Sequence, residues 1–290
     1  MKKIIILIPV FNDWESLKKL LSEINQNIDN IKNAEISCVV VNDASTKEQP
    51  EILKPKNLSS LKIMNMNRNK GHARCYAFGI RFVLTNENFD NLILMDGDGE
   101  DRPYELKELI ELSKKENNFS IVAKRVKRSE GSVFRFLYQI HKLITLIFTG
   151  KNINFGNYSC LTKRDVEKLS SQSSLWSSIS GTIKKNIPDL NEINSTRGTR
   201  YFGPSQMSFL KLLIHSFSII AVFKYQVFLR SIIFFITLFY SVSYLGIFSY
   251  IFQIILVIFN LLIFLVSLRE SKEELVKSHE NLKNIEKITH

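Results

Sequence analysis

Short apolar runs alternate with helix-prone segments along the first 122 residues of the chain. Each run is continuous and rich in β-branched residues, which is typical of strands buried on both faces of a parallel sheet. The order predicts a doubly wound α/β sheet that binds its ligands at the carboxyl ends of the strands. The predicted strands are Lys3–Ile8, Ile36–Val41, Leu61–Asn65, Asn91–Met95 and Phe119–Val122, and the predicted helices are Asp13–Asn27, Gly71–Thr85 and Tyr104–Glu116.

The alternation stops at residues 123–226. This region contains a basic stretch, a serine-rich loop at Ser170–Ser180 and two amphipathic segments, Ser132–Phe148 and Ser205–Lys224. A far more apolar region follows it.

From Ser231 to Leu268 the chain has 38 residues without a charged side chain. One helix of that length would extend about 57 Å, roughly twice the hydrocarbon thickness of a bilayer. Two membrane spans joined near Gly246 fit better, and the alternative is a helical pair buried in a soluble core. Basic residues flank both ends of this hairpin, which predicts that both ends and the α/β region before it are cytoplasmic. These residues are Lys224, Arg230, Arg269 and Lys272. The charged tail after residue 268 is predicted to be a solvated helix.

Composition narrows the choice of partners. The formal net charge is +11, which favours phosphorylated substrates or an anionic membrane surface. Nucleic acid is disfavoured because the basic residues are dispersed and no recognition motif is present. The three cysteines include no C-x-x-C pair, which indicates buried thiols in a reducing compartment rather than disulfides or zinc ligands.

The strongest chemical signal is the sequence Asp96-Gly97-Asp98 after the strand ending at Met95. Two carboxylates two positions apart can point the same way and face one hard cation, Mg²⁺ or Mn²⁺. Such an ion can bridge the two phosphates of a nucleotide sugar. Gly97 lets the backbone turn and a ligand approach closely. The alternative is an ordinary polar turn.

Two further elements accompany this motif. Asp43 follows the second predicted strand and can accept hydrogen bonds from a base or ribose, although an Asx-turn would use the same residue. Asn69-Lys70-Gly71-His72-Ala73-Arg74 opens a predicted helix, whose amides and basic side chains suit a phosphate. Lone basic residues at such a position are also common on solvated faces.

In chain order, Pro9-Val10-Phe11-Asn12, Asn42-Asp43-Ala44-Ser45, Asn69-Lys70-Gly71-His72-Ala73 and Asp96-Gly97-Asp98 closely resemble family 2 glycosyltransferases. The branch they resemble most contains the dolichyl-phosphate mannose synthases and bacterial polyprenyl-phosphate glycosyltransferases. The resemblance covers residues 1 to about 225. It implies an α/β GT-A fold, a Rossmann-like and mostly parallel sheet, followed by the two-helix transmembrane hairpin. It also implies an inverting mechanism with the divalent ion at Asp96 and Asp98.

The resemblance also assigns residues. Pro9, Phe11, Asn12 and Asp43 would line the nucleoside pocket, and Arg125 matches a short segment ending in Arg after the next strand. The stretch from Arg197 to Phe209 resembles a loop that closes over the donor diphosphate. Arg197 and Arg200 suit that role because guanidinium groups bind phosphate bidentately, and surface charge is the alternative.

One position departs from the pattern. Asn157 follows Gly156 where lipid-phosphate members of the family commonly carry Asp, and an amide cannot act as a general base. A polyprenyl phosphate is already anionic and needs little deprotonation, whereas a sugar hydroxyl would need a base. Asn157 therefore favours a phosphate acceptor, although it also permits a different acceptor or mechanism. Asp101 and Asp165 are the other candidates for a base.

The basic, aromatic segment at residues 124–148 suits an interfacial helix near lipid headgroups. Arg128 and Arg135 on this segment, together with Asn157, are the predicted acceptor-side residues. Simple packing of the helix on the sheet is the alternative.

These patterns predict four regions: a cytoplasmic catalytic domain at 1–204, an amphipathic segment at 205–226, two spans within 227–268 and a charged cytoplasmic tail at 269–290. The predicted activity moves a sugar from UDP or GDP to a membrane lipid, with polyprenyl phosphate as the favoured acceptor. The alternatives are transfer to a sugar hydroxyl during surface-polysaccharide assembly, and a catalytically silent membrane scaffold. The sequence leaves the oligomeric state open, homo-oligomers included.

Overall fold

The computed structural model describes residues 1–127, 132–203 and 208–289, apart from the side chains of residues 127, 132–135 and 209. In these residues eight strands form one mixed sheet in the order β7-β5-β6-β4-β1-β2-β3-β8. The strands are β1 (Lys2–Val10), β2 (Ala34–Asn42), β3 (Leu61–Met66), β4 (Asn91–Leu94), β5 (Ser120–Lys127), β6 (Phe155–Thr162), β7 (Leu190–Thr196) and β8 (Leu282–Ile288).

The centre of the sheet is parallel. β1 pairs in parallel with both β2 and β4, β2 pairs in parallel with β3, and β5 with β7. β6 runs antiparallel between β4 and β5, and β8 runs antiparallel to β3. The doubly wound sheet and all five predicted strands are confirmed, because each predicted run lies in an observed strand to within two residues.

Helices connect and cover the strands. They are α1 (Trp14–Ile28), α2 (His72–Asn86), α3 (Leu106–Lys115), α4 (Ser132–Thr149), α5 (Lys163–Ser170), α6 (Ile179–Asn186), α7 (Phe209–Ala221), α8 (Lys224–Tyr240), α9 (Val242–Leu245), α10 (Ile247–Ser267) and α11 (Lys272–Val276). Single helical turns occupy Pro103–Glu105, Ser173–Trp176 and Lys277–Asn281. The three predicted helices correspond to α1, α2 and the Pro103–Lys115 region.

The pleat of β1 divides the core between the two faces of the sheet. Leu7 belongs to the cluster that contains Tyr76 of α2, whereas Ile6 belongs to the cluster that contains Leu17 of α1. Successive strand residues point to opposite faces, so a continuous apolar run buries both. Each fully buried aliphatic side chain stabilises the fold by about 1.5–3 kcal/mol. This central strand therefore anchors the loops at its carboxyl end.

The long uncharged region forms α8, α9 and α10, and the helices break at Gly246 (φ 53°), where the sequence predicted a break. α10 is long and apolar enough to cross a bilayer, and only 17% of its most apolar window is buried. α8 passes the same test only together with α7, from which it is bent by 86°. Large apolar side chains of both α8 and α10 are exposed, including Ile232, Phe239, Phe248 and Leu261. Such an exposed apolar surface is unlike that of a core helix.

The predicted helix in the tail is wrong. After the five residues of α11 and one helical turn, the chain enters β8 and pairs with the edge of β3. Leu282 and Ile288 pack against the two core clusters, while Lys283 and Lys287 between them are exposed. Charged side chains are common on edge strands, and pairing with a strand more than 200 residues away leaves no local signal.

Candidate active site

Three parallel strands deliver polar residues to one edge of the sheet. In the register of the sheet, Leu7 of β1 lies beside Leu94 of β4, and Val10 lies beside Asn42 of β2. The loops after these strands begin at residues 11, 43 and 95, and they converge as expected for carboxyl ends in a doubly wound sheet. These loops carry the motifs that the sequence singled out.

Asp43 is buried, and its carboxylate accepts hydrogen bonds from the amides of Lys70 and Gly71, both at 2.8 Å. Burial raises the pKa of Asp43, and these two hydrogen bonds oppose the rise. Gly71 has a φ of 95°, a conformation that favours glycine. The amides expected to bind phosphate thus hold Asp43 in this structure. The Lys70 ammonium lies 3.8 Å from Glu274 of the tail.

Asn12 joins the first two loops. Its side-chain oxygen accepts hydrogen bonds from the backbone amides of Thr46 (2.8 Å) and Lys47 (2.9 Å). Its backbone amide donates to the Ser45 hydroxyl at 2.8 Å. The backbone of Asn12 is left-handed, with φ at 54°. Asn tolerates this conformation better than most residues. Asn12 therefore connects the loop after β1 to the loop after β2.

Pro9 and Phe11 flank the last residue of β1. Pro9 is buried and Phe11 is half-buried. A methyl group added to Gly97 would lie 2.8 Å from the Pro9 carbonyl oxygen, so the motif loop packs directly against β1. Gly97 permits the close approach that the sequence predicted, here to the backbone of the chain itself.

Asp96 collects three hydrogen-bond donors on one oxygen, Oδ1. They are the Tyr76 hydroxyl at 2.9 Å, His72 Nε2 at 3.0 Å and Asn157 Nδ2 at 3.3 Å. Burial raises the pKa of Asp96, but the charge and hydrogen bond of His72 outweigh this effect and hold the pKa below its usual range. The site thus keeps Asp96 ionised.

Asp98 is held by the loop that follows β7. Its Oδ1 accepts the Glu100 amide at 3.0 Å and its Oδ2 accepts Arg200 Nη1 at 2.9 Å. The same guanidinium also pairs with Asp13, and Arg197 pairs with Glu100. Burial and the neighbouring charge of Asp96 raise the pKa of Asp98. Arg200 therefore contacts the Asp-x-Asp motif, and Arg197 contacts Glu100, two residues after it.

Asp101 lies beneath the motif, 5% exposed, where its carboxylate accepts the Asp96 amide at 2.9 Å. Burial and the charge of Asp96 raise the pKa of Asp101 to about 8. Its position braces the backbone of Asp96. The other candidate base, Asp165, accepts the Ser120 hydroxyl at 2.6 Å at the start of β5. That is the amino-terminal edge of the sheet, opposite the motif, so Asp165 is excluded as a base.

The acceptor-side predictions have different outcomes. Asn157 contacts Asp96 and so lies in the site. A Cβ added to Gly156 would strike the Arg125 guanidinium, which places Arg125 beside Asn157. Arg128 lies outside the described residues, and so does the side chain of Arg135, whose backbone belongs to α4.

A divalent cation fits the donor set at this edge. Asp96 and Asp98 are hard oxygen ligands, and their mutual repulsion would be relieved by a cation between them. In the part of the chain that the structure describes, no three His, Cys, Asp or Glu side chains form a ready metal cage. Mg²⁺ and related ions commonly take one or two carboxylates and complete their shell with substrate phosphates. Two carboxylates match that pattern.

Sequence reasoning missed His72 and Tyr76. Both lie on the first turns of α2, whose amino end is held by Asp43, so their side chains reach back to Asp96. The signal was available: residues at positions i and i+4 share one helix face. Their partner lies 20 residues or more along the chain, and only the packing of α2 on the sheet identifies it.

Two solved structures share this fold. S. aureus TarS in complex with UDP-GlcNAc is 15% identical, with a TM-score of 0.51 over 84% of this chain and 73% of that chain. Glucosyl-3-phosphoglycerate synthase from Mycobacterium tuberculosis, in complex with Mn²⁺, UDP-glucose and phosphoglyceric acid, is 13% identical. Its TM-score is 0.51 over 78% of this chain and 80% of that chain. The predicted GT-A fold is confirmed.

The chain belongs to glycosyl transferase family 2, whose family model matches residues 5–176. Among curated proteins it is similar to the undecaprenyl-phosphate 4-deoxy-4-formamido-L-arabinose transferase of Photorhabdus laumondii, at 28% identity over 227 residues. The transferase of the same name from Salmonella choleraesuis is 26% identical over 226 residues. Each match covers 73% of this chain, but only 65% and 64%, respectively, of the relative. The predicted family and enzyme class are confirmed.

Proposed function

We propose that the protein transfers a sugar from UDP or GDP to polyprenyl phosphate, with inversion and with a divalent ion, at the cytoplasmic face of a membrane. The observation that carries the proposal is the position of the Asp-x-Asp motif in a GT-A sheet whose chain continues into an exposed apolar helical hairpin. The curated relatives named above act on undecaprenyl phosphate by their names. A lipid phosphate is the acceptor class that these observations share.

Asp96 and Asp98 hold Mg²⁺ or Mn²⁺ in this proposal. When bound there, such an ion would neutralise charge on the departing nucleoside diphosphate. His72 and Tyr76 fix the carboxylate of Asp96 and leave it ionised, while Asp101 fixes its backbone. These residues set the position of the ligand before the donor arrives, which reduces the reorganisation needed during the reaction.

Arg197 and Arg200 supply positive charge to the diphosphate. In the free protein their guanidinium groups pair with Glu100 and with Asp98 and Asp13. A donor diphosphate offers these arginines bidentate anionic partners of the same kind. Asp43, Asn12, Pro9 and Phe11 hold the nucleoside side of the donor.

The acceptor needs no general base. A phosphate monoester is anionic at neutral pH, so its oxygen attacks the anomeric carbon directly from the face opposite the diphosphate. The new carbon–oxygen bond forms as the bond to the diphosphate breaks, and the electron pair leaves with the nucleoside diphosphate. Asn157 is compatible with this chemistry because its amide donates to Asp96 rather than removing a proton. Arg125 lies beside it and suits the acceptor phosphate.

The membrane arrangement rests on both ends of the hairpin. α8 begins directly after α7, and the tail after α10 returns to pair with β3 of the catalytic sheet. A chain that leaves and rejoins the same domain crosses a bilayer an even number of times, which supports two spans. The basic residues at both ends favour the cytoplasmic side. α4 adds exposed Phe136, Leu143 and Ile147, which suit the membrane interface beside the acceptor.

Membranes that contain the protein should transfer label from one radiolabelled UDP- or GDP-sugar into lipid, in the presence of Mg²⁺ or Mn²⁺. The label should be released by mild acid, because a glycosyl phosphate is acid-labile. Membranes from cells that lack the protein are the control. Label confined to acid-stable glycan would instead support transfer to a sugar hydroxyl. Nucleotide binding without transfer from any sugar tested would support the silent scaffold.

A further inference from the structure

The chain that follows the hairpin rejoins the catalytic domain on its nucleoside side. β8 pairs with β3, so that Asn284 lies opposite Asn65 and Glu286 opposite Ile63. β3 in turn lies beside β2, with Asn65 opposite Asn42. Asn42 immediately precedes Asp43. The C-terminal segment, defined here as residues 271–288, is thus only one strand away from the strand that carries Asp43.

A directed chain of hydrogen bonds ends on Glu286. Asn65 Nδ2 donates to Glu286 Oε1 at 2.6 Å, and Asn42 Nδ2 donates to Asn65 Oδ1 at 2.7 Å. The Ser45 amide donates to Asn42 Oδ1 at 3.0 Å, and the Asn12 amide donates to the Ser45 hydroxyl at 2.8 Å. Every donor points toward the carboxylate, and bonds in such a chain polarise and strengthen one another. These hydrogen bonds connect β8, at the edge of the sheet, to the loop after β1.

Glu286 also holds the far end of the loop after Asp43. Its second oxygen, Oε2, accepts Gln49 Nε2 at 2.9 Å. The loop of residues 43–49 is therefore tied at its start through Asn42 and at its end through Gln49, and both ties lead to one carboxylate. Hydrogen bonds to a charged acceptor are the stronger kind.

The same segment holds the loop of residues 66–71. The Asn67 amide donates to the Asn281 carbonyl at 2.7 Å, and the Arg68 amide donates to Asn281 Oδ1 at 3.0 Å. Asn281 Nδ2 returns a hydrogen bond to the Arg68 carbonyl at 2.9 Å. This loop ends with the two amides that bind the Asp43 carboxylate. Asn281 therefore holds the start of the loop whose end binds the Asp43 carboxylate.

We infer that the C-terminal segment is a positioning element of the donor site, in which Glu286 and Asn281 hold the two loops that fix Asp43 and Asn12. The inference rests on the proposed function, since it assigns these loops to the nucleoside of the donor. An edge strand that merely closed the sheet would need only backbone pairing. The side-chain contacts of Glu286 and Asn281 reach the site loops, and they follow directly from the return of the hairpin. The C-terminal segment, which follows the hairpin, thereby contributes to donor binding.

Glu286→Ala in the full-length protein tests the inference. Loss of the shared acceptor should loosen both ends of the 43–49 loop and weaken binding of UDP or GDP in the presence of Mn²⁺ by about tenfold. The KM for the donor should rise by about the same factor, whereas kcat should stay within about twofold and the KM for the lipid acceptor should not change. Glu286→Gln keeps one side-chain oxygen as an acceptor and should restore part of the affinity. Calorimetric titration with UDP and GDP, followed by steady-state kinetics in detergent, gives these values.

Lys283→Ala is the matched control, because Lys283 lies on the same strand and is exposed. It should leave nucleotide affinity at the wild-type value. Asn281→Ala should weaken nucleotide binding in the same direction as Glu286→Ala. A Glu286→Ala protein with a lower unfolding temperature but wild-type nucleotide affinity and donor KM would overturn the inference, because the strand would then be merely structural. A wild-type protein that binds neither UDP nor GDP would instead refute the proposed function.

Discussion

Asp98→Ala should lower the rate of sugar transfer about a thousandfold or more while the protein still folds. The expected loss corresponds to about 4 kcal/mol of transition-state stabilisation, the scale on which a bound metal and its ligands act on a departing diphosphate. The fold should survive because burial and the charge of Asp96 already raise the pKa of Asp98, so the ionised group is not favoured by its surroundings. Asp98→Asn, which keeps the shape and loses the charge, should fail nearly as completely.

The measurement is transfer of radiolabel from the active nucleotide sugar into lipid, with thermal unfolding recorded for each variant. Mn²⁺ should raise the unfolding temperature of the wild-type protein in the presence of UDP and should not raise that of Asp98→Ala. Asp189→Ala is the matched control: Asp189 is exposed and immediately precedes β7, whose first residue pairs with the start of β5 at the opposite edge of the sheet. Full transfer activity in Asp98→Ala would reject the metal role of the motif.

Most of the fold could be predicted because its signals are local. Continuous apolar runs such as Ile4–Ile8 identify strands buried on both faces, and helix-prone segments separate most of them. β6, β7 and β8 were not predicted as strands. β6 reads Phe155-Gly156-Asn157-Tyr158 at its start, where glycine and asparagine weaken any strand propensity. It forms because β4 and β5 offer unpaired edges on both sides, which is a property of the sheet and not of the segment.

The candidate site divides in the same way. Asp43, Asp96 and Asp98 could be proposed because they follow strands, and strand ends converge by topology. Their contacts could not be predicted from spacing: His72 meets Asp96 through the packing of α2, and Arg200, which only the family resemblance placed in the site, meets Asp98 through the loop after β7. The sequence shows which residues follow a strand, whereas the three-dimensional fold determines which side chains contact them.

The arginine loop illustrates the consequence. Arg200 bridges Asp98 and Asp13, so a residue expected to bind the diphosphate also pairs with a proposed metal ligand. In the proposed mechanism, a divalent ion and Arg200 would compete for the Asp98 carboxylate. The donor phosphates would then accept the guanidinium and leave Asp98 to the ion.

Arg200→Ala should consequently change the affinities for Mn²⁺ and for UDP in opposite directions. Loss of a bidentate guanidinium at the diphosphate should lower kcat/KM by roughly 10²–10³-fold, and Arg200→Lys should recover little because an ammonium cannot make the paired contacts. Binding of Mn²⁺ alone should tighten, since Asp98 no longer has a competing cation in the protein. Calorimetric titration with Mn²⁺, with and without UDP, gives both affinities.

The control for this variant is Arg164→Ala, whose side chain is 72% exposed on α5 at the far edge of the sheet. It should change neither the affinity for Mn²⁺ nor the affinity for UDP. If Arg200 were only a surface ion pair, its removal would cost about 1 kcal/mol of stability or less and leave kcat/KM intact. Weaker Mn²⁺ binding in Arg200→Ala would contradict the competition directly, because it would mean that the arginine holds Asp98 in place for the metal instead of occupying it.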